Sequence, residues 1–373
     1  MRRLAFMVKT FEGGGAQRVI HTLTRYFVSL GMEIHIFTMY HAESYRVFPG
    51  VYMWNMDIDR ADTSVAHNRH KIMAAATHAK ELCLEAVIIC STSAPMYEYA
   101  LEMCEYTPIK ILAAMTNAPE RSPVSPAARA KRDAVFNTLL KAGAGFLFQN
   151  AYERDYFPQP IRDRSILVDN PLMEGLPSVY IGKREPIIVS AGRFDEQKNF
   201  ELLIRAFAKF HRNNPDYQLH IYGRGHMEPI YWEEICEYGM TGYIHLLPFA
   251  IDIHDRIRSA AAFVQSSDYE GVSNMLLEAI ALGLPVISTD CPAYGARDFI
   301  ESGRHGLLTP MGDEDRLAEA MRMVTSSDAY AEQARNAAEY VRKKLDTAVI
   351  GQQYLDFLEE LSPCALATPS PQM

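Results

Sequence analysis

Short apolar runs alternate with longer segments of helical period twice along this chain, and that alternation limits its fold more than any other feature. In the first set "LAFMV", "IHIFTM", "AVIIC", "KILAAM" and "GFLFQN" are separated by helix-length stretches near 14–30, 65–84, 95–105 and 127–141. Unbroken apolar runs mark strands buried on both faces, and helices between them imply a parallel sheet with crossovers. In the first helix Val19, Leu23, Tyr26, Phe27 and Leu30 recur at the 3/4 spacing of one buried face.

The segment "VDNPLMEGLPSVYIGKREP" breaks the rhythm with Pro171, Pro177, Pro186, Gly175 and Gly182, and marks a domain boundary. A second set follows: "IIVSAG", "YQLHIYG", "YIHLL", "AAFVQ", "PVIST" and "GLLTP", with helices expected at 198–213, 227–238, 253–259 and 273–282. After Asp313 the pattern is helical to about Leu361. The expectation is an α/β chain of two tandem Rossmann-like, doubly wound domains, 1–172 and 173–345, with a ligand cleft at the carboxyl ends of their strands. Residues 346–361 would form a helix crossing back to the first domain, and 362–373, "SPCALATPSPQM", a disordered tail.

A length of 373 residues fits two cores better than one, and 48% apolar residues can fill both. The net charge of -9 argues against a nucleic-acid partner. The charge is uneven: residues 1–172 hold 19 Lys+Arg against 17 Asp+Glu, the remainder 18 against 29. Cys83, Cys90, Cys104, Cys236, Cys291 and Cys364 form no CxxC pair and no metal-ligand spacing, so they read as buried thiols in a reducing cytosol. The apolar run of "MRRLAFMVKT" stops at Lys9, too soon for a signal peptide, and no stretch is long enough to span a membrane.

Three stretches carry chemistry. In "SSDYEGVSNMLLEAIALGLPVIS" a helix is expected to start with Ser273 as N-cap after the strand "AAFVQ", its free amides offering an anion site. Glu270 stands just before that helix and Glu278 inside it, placed to accept hydrogen bonds from hydroxyls on either side of a phosphate; two solvated carboxylates are the plainer alternative. In "SAGRFDEQKNF" Arg193 and Lys198 bracket the loop after "IIVSAG", where a bidentate guanidinium and a point charge suit a phosphate. A surface loop pairing its cations with Asp195 and Glu196 is the alternative there. In "TFEGGGAQRV" Gly13, Gly14 and Gly15 separate the first strand from the first helix, without the spacing of a dinucleotide fingerprint or a P-loop.

Together "GGGAQR", "GRFDEQKN", "SDYEGVSNMLLEAIALGLPVISTDCP" with its E-x7-E pair, and "GRHGLLTP" resemble glycosyltransferase family 4, retaining enzymes of the GT-B fold. "TNAPERSP", "GFLFQNAYERDYFP" and "LVDNP" resemble its capsular and surface-polysaccharide branch. The resemblance implies that Arg193 and Lys198 neutralise the donor diphosphate, that Glu278 binds ribose hydroxyls and that Glu270 faces the donor sugar. It implies that the backbone amides of Val272, Ser273 and Asn274 hold phosphate, that Gly14 and Gly15 close on the substrates, and that Phe249 lies beside the base. Many members carry a His in the first domain near the transferred carbon; here the matching place offers Asn117, and His21, His35 and His41 do not replace it by spacing.

The function implied is metal-independent transfer of a hexose, with retention, from a nucleotide diphosphate sugar, a UDP-sugar by preference. The acceptor would be a hydroxyl of a glycan or lipid-linked saccharide in polysaccharide or cell-envelope synthesis, with no cofactor. A GT-B sugar phosphorylase or epimerase, or an inactive sugar-nucleotide-binding regulatory subunit, are the alternatives. A cytoplasmic enzyme touching the inner membrane face is expected, through Arg129, Lys131, Arg132 and Lys141 on a helix whose Val135, Phe136, Leu139 and Leu140 share one sector.

Overall fold

The computed structural model describes residues 1–12, 14–41, 48–91, 93–115, 117–120, 125–300 and 305–364. The chain divides into two compact units, Leu172–Asp346 and a first unit made of Met1–Pro171 and the segment that resumes at Thr347.

In the first unit seven parallel strands are found among the described residues: β1 (Arg3–Val8), β2 (Glu33–Thr38), β3 (Val51–Asn55), β4 (Ala86–Cys90), β5 (Lys110–Ala114), β6 (Gly145–Phe148) and β7 (Ser165–Leu167). They lie in the order β3-β2-β1-β4-β5-β6-β7. The connecting helices are α1 (Gly15–Ser29), α2 (Val65–Glu81), α3 (Ala94–Cys104), α4 (Pro126–Ala142) and the short α5 (Ala151–Asp155) and α6 (Gln159–Arg162). Leu4 to Val8 of β1 and Ala86 to Ile89 of β4 are buried, as strands covered by helices on both faces must be. Helix α1 buries Val19, Ile20, Leu23 and Phe27. Leu30, expected on the same face, lies just past the helix end and is half exposed.

In the second unit the described strands are β8 (Glu185–Arg193), β9 (Gln218–Arg224), β10 (Ile244–Leu247), β11 (Ala260–Gln265), β12 (Val286–Thr289) and β13 (Leu307–Thr309). They are parallel, in the order β10-β9-β8-β11-β12-β13. Helices α7 (Phe200–His211), α8 (Glu228–Glu237), α9 (Ile253–Ile257), α10 (Asn274–Ala281), α11 (Glu314–Thr325) and α12 (Asp328–Lys344) accompany them. Helix α7 contributes Phe200, Leu203, Ile204, Phe207 and Phe210 to the core of this unit. The strand order reverses between β8 and β11, so the loops leaving these neighbours turn to opposite faces and leave a crevice at their carboxyl ends.

The last helix, α13 (Thr347–Glu360), belongs to the first unit. Gly351 lets it approach α1, since a Cβ there would stand 2.3 Å from the Tyr26 ring. Lys110 Nζ donates to the carbonyl of Leu358 at 2.8 Å, and the Cys364 amide to that of Ile109 at 2.9 Å. Residues 365–373, the end of the expected tail, lie outside the described residues.

Two expectations are corrected. Cys83 and Cys236 are exposed, so the cysteines are not uniformly buried. Arg132 is fully buried and unavailable to a lipid surface. Its Nη1 donates to the Pro119 carbonyl at 2.9 Å, its Nε to Asp133 at 2.9 Å, and its guanidinium carbon lies 5.4 and 5.5 Å from the ring centres of Tyr156 and Phe157. These bonds and ring faces replace the hydration that burial removes.

Candidate functional site

Strand β8 ends at Arg193, and the chain runs through a 3₁₀ turn, Glu196–Lys198, into α7. Asn199 sits in the left-handed region at φ 44, where Asn is among the tolerated residues. Its Oδ1 accepts from the Leu202 amide at 3.1 Å, capping α7, and its Nδ2 donates to Asp268 at 2.8 Å. The loop is thereby tied to the one that follows β11. The Lys198 stem lies over Gly192, where an added Cβ would come within 3.1 Å of its Cε. A glycine at the strand end keeps that path open.

Glu270, in the loop after β11, is where these elements meet. It is buried, and its Oε1 receives the Lys198 ammonium and the Ser267 hydroxyl, the latter at 2.7 Å. Its Oε2 accepts from Gln197 Nε2 at 3.2 Å. Gln197 also donates to the Tyr269 carbonyl at 2.9 Å, while its Oε1 accepts from Arg193 Nη2 at 3.3 Å. Arg193 pairs with Asp195 at 3.1 Å, and its side chain is 69% exposed, which leaves the guanidinium open to an anion. The loop after β12 fastens to the same residue: the Glu270 amide donates to the Pro292 carbonyl and the Ala293 amide to the Glu270 carbonyl, each at 2.7 Å. Gly295 packs against Gly271 so closely that a Cβ would stand 2.1 Å from the Gly271 oxygen. Cys291, beside this cluster, has its thiol pushed up to about 12 by burial and by the Glu270 carboxylate.

Helix α10 starts where the sequence placed it, with Ser273 in extended backbone at its N-cap and the Ser273 carbonyl accepting from the Leu277 amide at 3.1 Å. The expected hydroxyl cap is absent: the Ser273 side chain accepts none of the first amides of the helix. Val272 is buried, and Ser273 and Asn274 are partly so. Glu278, one turn further on, is 2% exposed, and its Oε2 lies 2.7 Å from Nε2 of His254 in α9. Phe249, beyond the end of β10, is 59% exposed, and Ile251 beside it is 91% exposed.

In the first unit Gly14 and Gly15 follow β1. Gly14 precedes α1 in extended backbone, and its carbonyl accepts from the Arg18 amide at 3.0 Å. Gly13 lies outside the described residues. Asn117 follows β5, and its Oδ1 accepts from the Ala118 amide at 2.8 Å. Among the described residues no group of three His, Cys, Asp or Glu could hold a metal ion, and no helix is long and apolar enough to cross a membrane.

Sequence reasoning therefore named Arg193, Lys198 and Glu270, which the fold gathers at the β8–β11 reversal, and Glu278, which it buries in α10. It missed Gln197, the amide joining Arg193 to Glu270, and His254. The available signal for His254 was its place between Ile253 and Ile257 on the buried face of α9.

Residues 177–344 match the family model of glycosyl transferases group 1, a stretch that contains Arg193, Lys198, Phe249, Glu270 and Glu278. The N-acetylgalactosamine-N,N'-diacetylbacillosaminyl-diphospho-undecaprenol 4-alpha-N-acetylgalactosaminyltransferase of Campylobacter jejuni is 29% identical over 178 residues, 48% of this chain and 48% of that protein. The lipopolysaccharide core biosynthesis glycosyltransferase LpsE of Rhizobium meliloti is 29% identical over 144 residues, 39% of this chain and 41% of that one. The chain thus spans about half the length of the curated relatives it matches. The crystal structure of Alr3699/HepE from Anabaena, in complex with UDP and glucose, superposes with a TM-score of 0.79 at 15% identity, covering 97% of this chain and 100% of that one. The fold is GT-B, two α/β units each built on a parallel sheet.

Proposed function

We propose that this chain is a retaining glycosyltransferase of family 4 that moves a hexose from a UDP-sugar to a hydroxyl of a glycan or lipid-linked saccharide in cell-envelope polysaccharide synthesis. The observation that carries this reading is the convergence of Arg193, Gln197, Lys198 and Glu270 at the strand-order reversal of the second unit. Two cations and an amide-rich loop end suit a diphosphate, and a carboxylate held among them suits the hydroxyls of the sugar it carries. The names of the relatives agree with a saccharide-transferring role, and the HepE structure holds UDP and glucose.

In this reading the bond from the anomeric carbon to the leaving phosphate breaks while positive charge grows on the sugar ring and negative charge on the phosphate. Arg193 and Lys198 stabilise the departing diphosphate, and preorganised charge of this kind is usually the largest catalytic contribution. Glu270 accepts hydrogen bonds from the donor sugar, and its tie to Lys198 fixes the ammonium before the donor arrives. The acceptor oxygen bonds to the same face of the anomeric carbon and passes its proton to the leaving phosphate. Glu278 accepts from the ribose hydroxyls. The inner face of the membrane is the proposed workplace when the acceptor is lipid-linked, with Arg129, Lys131 and Lys141, but not the buried Arg132, as lipid-facing cations.

The test is a donor screen: the protein is incubated with a panel of UDP- and GDP-sugars and envelope glycan acceptors, and products are read by mass spectrometry. A new glycosidic bond with release of UDP supports the reading. Sugar phosphate, an epimerised donor or binding without turnover would replace it with phosphorylase, epimerase or regulatory chemistry.

A further inference from the structure

We infer that His254 is a positioning residue for the nucleotide, acting through Glu278. The inference rests on the proposed ribose role of Glu278.

Glu278 is 2% exposed on a helix whose Leu276, Leu277, Ala279, Ile280 and Ala281 are also buried. A carboxylate in such surroundings needs donors, because its lost hydration is costly. One stands ready on α9, a separate element twenty-four positions back in the chain, where His254 Nε2 reaches Glu278 Oε2 at 2.7 Å. The two side chains are 8% and 3% exposed, so the contact is shielded from the competition that weakens surface pairs.

A carboxylate only accepts, so the proton of this bond sits on Nε2 of His254. A hydrogen bond from a rigid ring fixes both the rotation and the plane of the carboxylate, and hence the directions of its acceptor lone pairs. Two vicinal hydroxyls of a ribose have a set spacing, and a carboxylate held in one plane meets both without losing rotational freedom on binding. His254 itself is pinned by its position: Ile253 and Ile257, on either side of it, are both buried in the core of this unit.

The consequence is specific. Without His254 the protein should lose its preference for a ribose over a deoxyribose before it loses the sugar-transfer chemistry. The experiment is titration calorimetry with UDP and 2′-deoxy-UDP on wild type, His254→Leu, His254→Gln and Glu278→Gln, with donor kinetics on each. Wild type should favour UDP. His254→Leu should weaken UDP by about tenfold, erase the preference and raise the donor KM with kcat little changed. His254→Gln, whose amide nitrogen can stand where Nε2 does, should restore most of both affinity and preference. If His254→Leu does not fold, His254→Phe removes the donor at similar ring volume and carries the same comparison. Wild-type affinity and preference in the folded donorless variant would overturn the inference. If Glu278→Gln also keeps wild-type preference, the ribose reading falls with it; if Glu278→Gln loses the preference while the donorless His254 variant keeps it, the positioning role alone is wrong.

Discussion

Lys198 and Glu270 form an ion pair that joins the loop after β8 to the loop after β11, with side chains only 16% and 11% exposed. The pair stands at the strand-order reversal of its sheet, the place where open α/β sheets bind ligands. It holds the two loops together, and in the proposed function it also keeps one ammonium ready for the donor phosphate.

Removing one member should show both roles. Lys198→Met leaves Glu270 with Ser267 and Gln197 but no counter-charge, and should cost about 2 kcal/mol in urea unfolding, less than a fully buried pair would. Glu270→Gln should spare or tighten binding of bare UDP, because it frees the ammonium for phosphate, and should damage transfer. A double-mutant cycle on stability checks the coupling; additive costs would mean that the pair contributes nothing as a pair.

Arg193 sits at the surface, and its partners among the described residues, Asp195 and Gln197, are local, so its role is proposed to be chemical and not structural. Arg193→Ala should leave the melting temperature nearly unchanged and lower turnover by about 10²–10³-fold. A large loss of stability with proportionate loss of activity would reassign it to the scaffold.

Much of this arrangement was legible beforehand, for physical reasons. Strands covered on both faces read as unbroken apolar runs, so β1, β2, β4, β5, β6, β11 and β12 stood out, and β8, β9, β10 and β13 showed as shorter or interrupted apolar stretches. The edge strands β3 and β7 did not: "VYMWN" is only partly buried and "SIL" is three residues long. Arg193, Lys198 and Glu270 drew notice as charged residues that follow strand ends, and Glu278 as an acid inside an otherwise apolar helix. Gln197 and His254 were not, since their bonds reach partners 73 and 24 positions away and neither residue type advertises a partner. Arg132 shows the limit of a helical wheel, which places a side chain in a sector and cannot say whether aromatic faces and carbonyls are waiting there.

Gly295 tests the loop beneath Glu270. Gly295→Ala drives a methyl to 2.1 Å from the Gly271 oxygen unless the backbone shifts, and should cost about 1–3 kcal/mol. Because the shift displaces the segment hydrogen-bonded to Glu270, transfer should fall more than UDP affinity. Unchanged stability on chemical denaturation would mean that the close approach is relieved without consequence.

The cysteines give a test free of substrate. Burial raises the Cys291 and Cys90 thiols to about 12, so both stay protonated and unreactive at pH 8, several units below that value, whereas Cys83 and Cys236 are exposed. A disulfide-exchange reagent at pH 8 should titrate Cys83 and Cys236 quickly and Cys291 only after unfolding. Peptide mapping that finds Cys291 labelled in the native protein would show that the cluster around Glu270 opens.

The central claim is that the β8–β11 reversal binds a nucleotide diphosphate through Arg193 and Lys198. Calorimetric titration of UDP into wild type and into the Arg193→Ala, Lys198→Ala double variant tests it most directly. One UDP should bind per chain, UMP more weakly for want of the second phosphate, and the double variant should lose at least about tenfold in UDP affinity while UMP changes less. Equal UDP affinity in the wild type and a folded double variant, or no difference between UDP and UMP, would contradict the account.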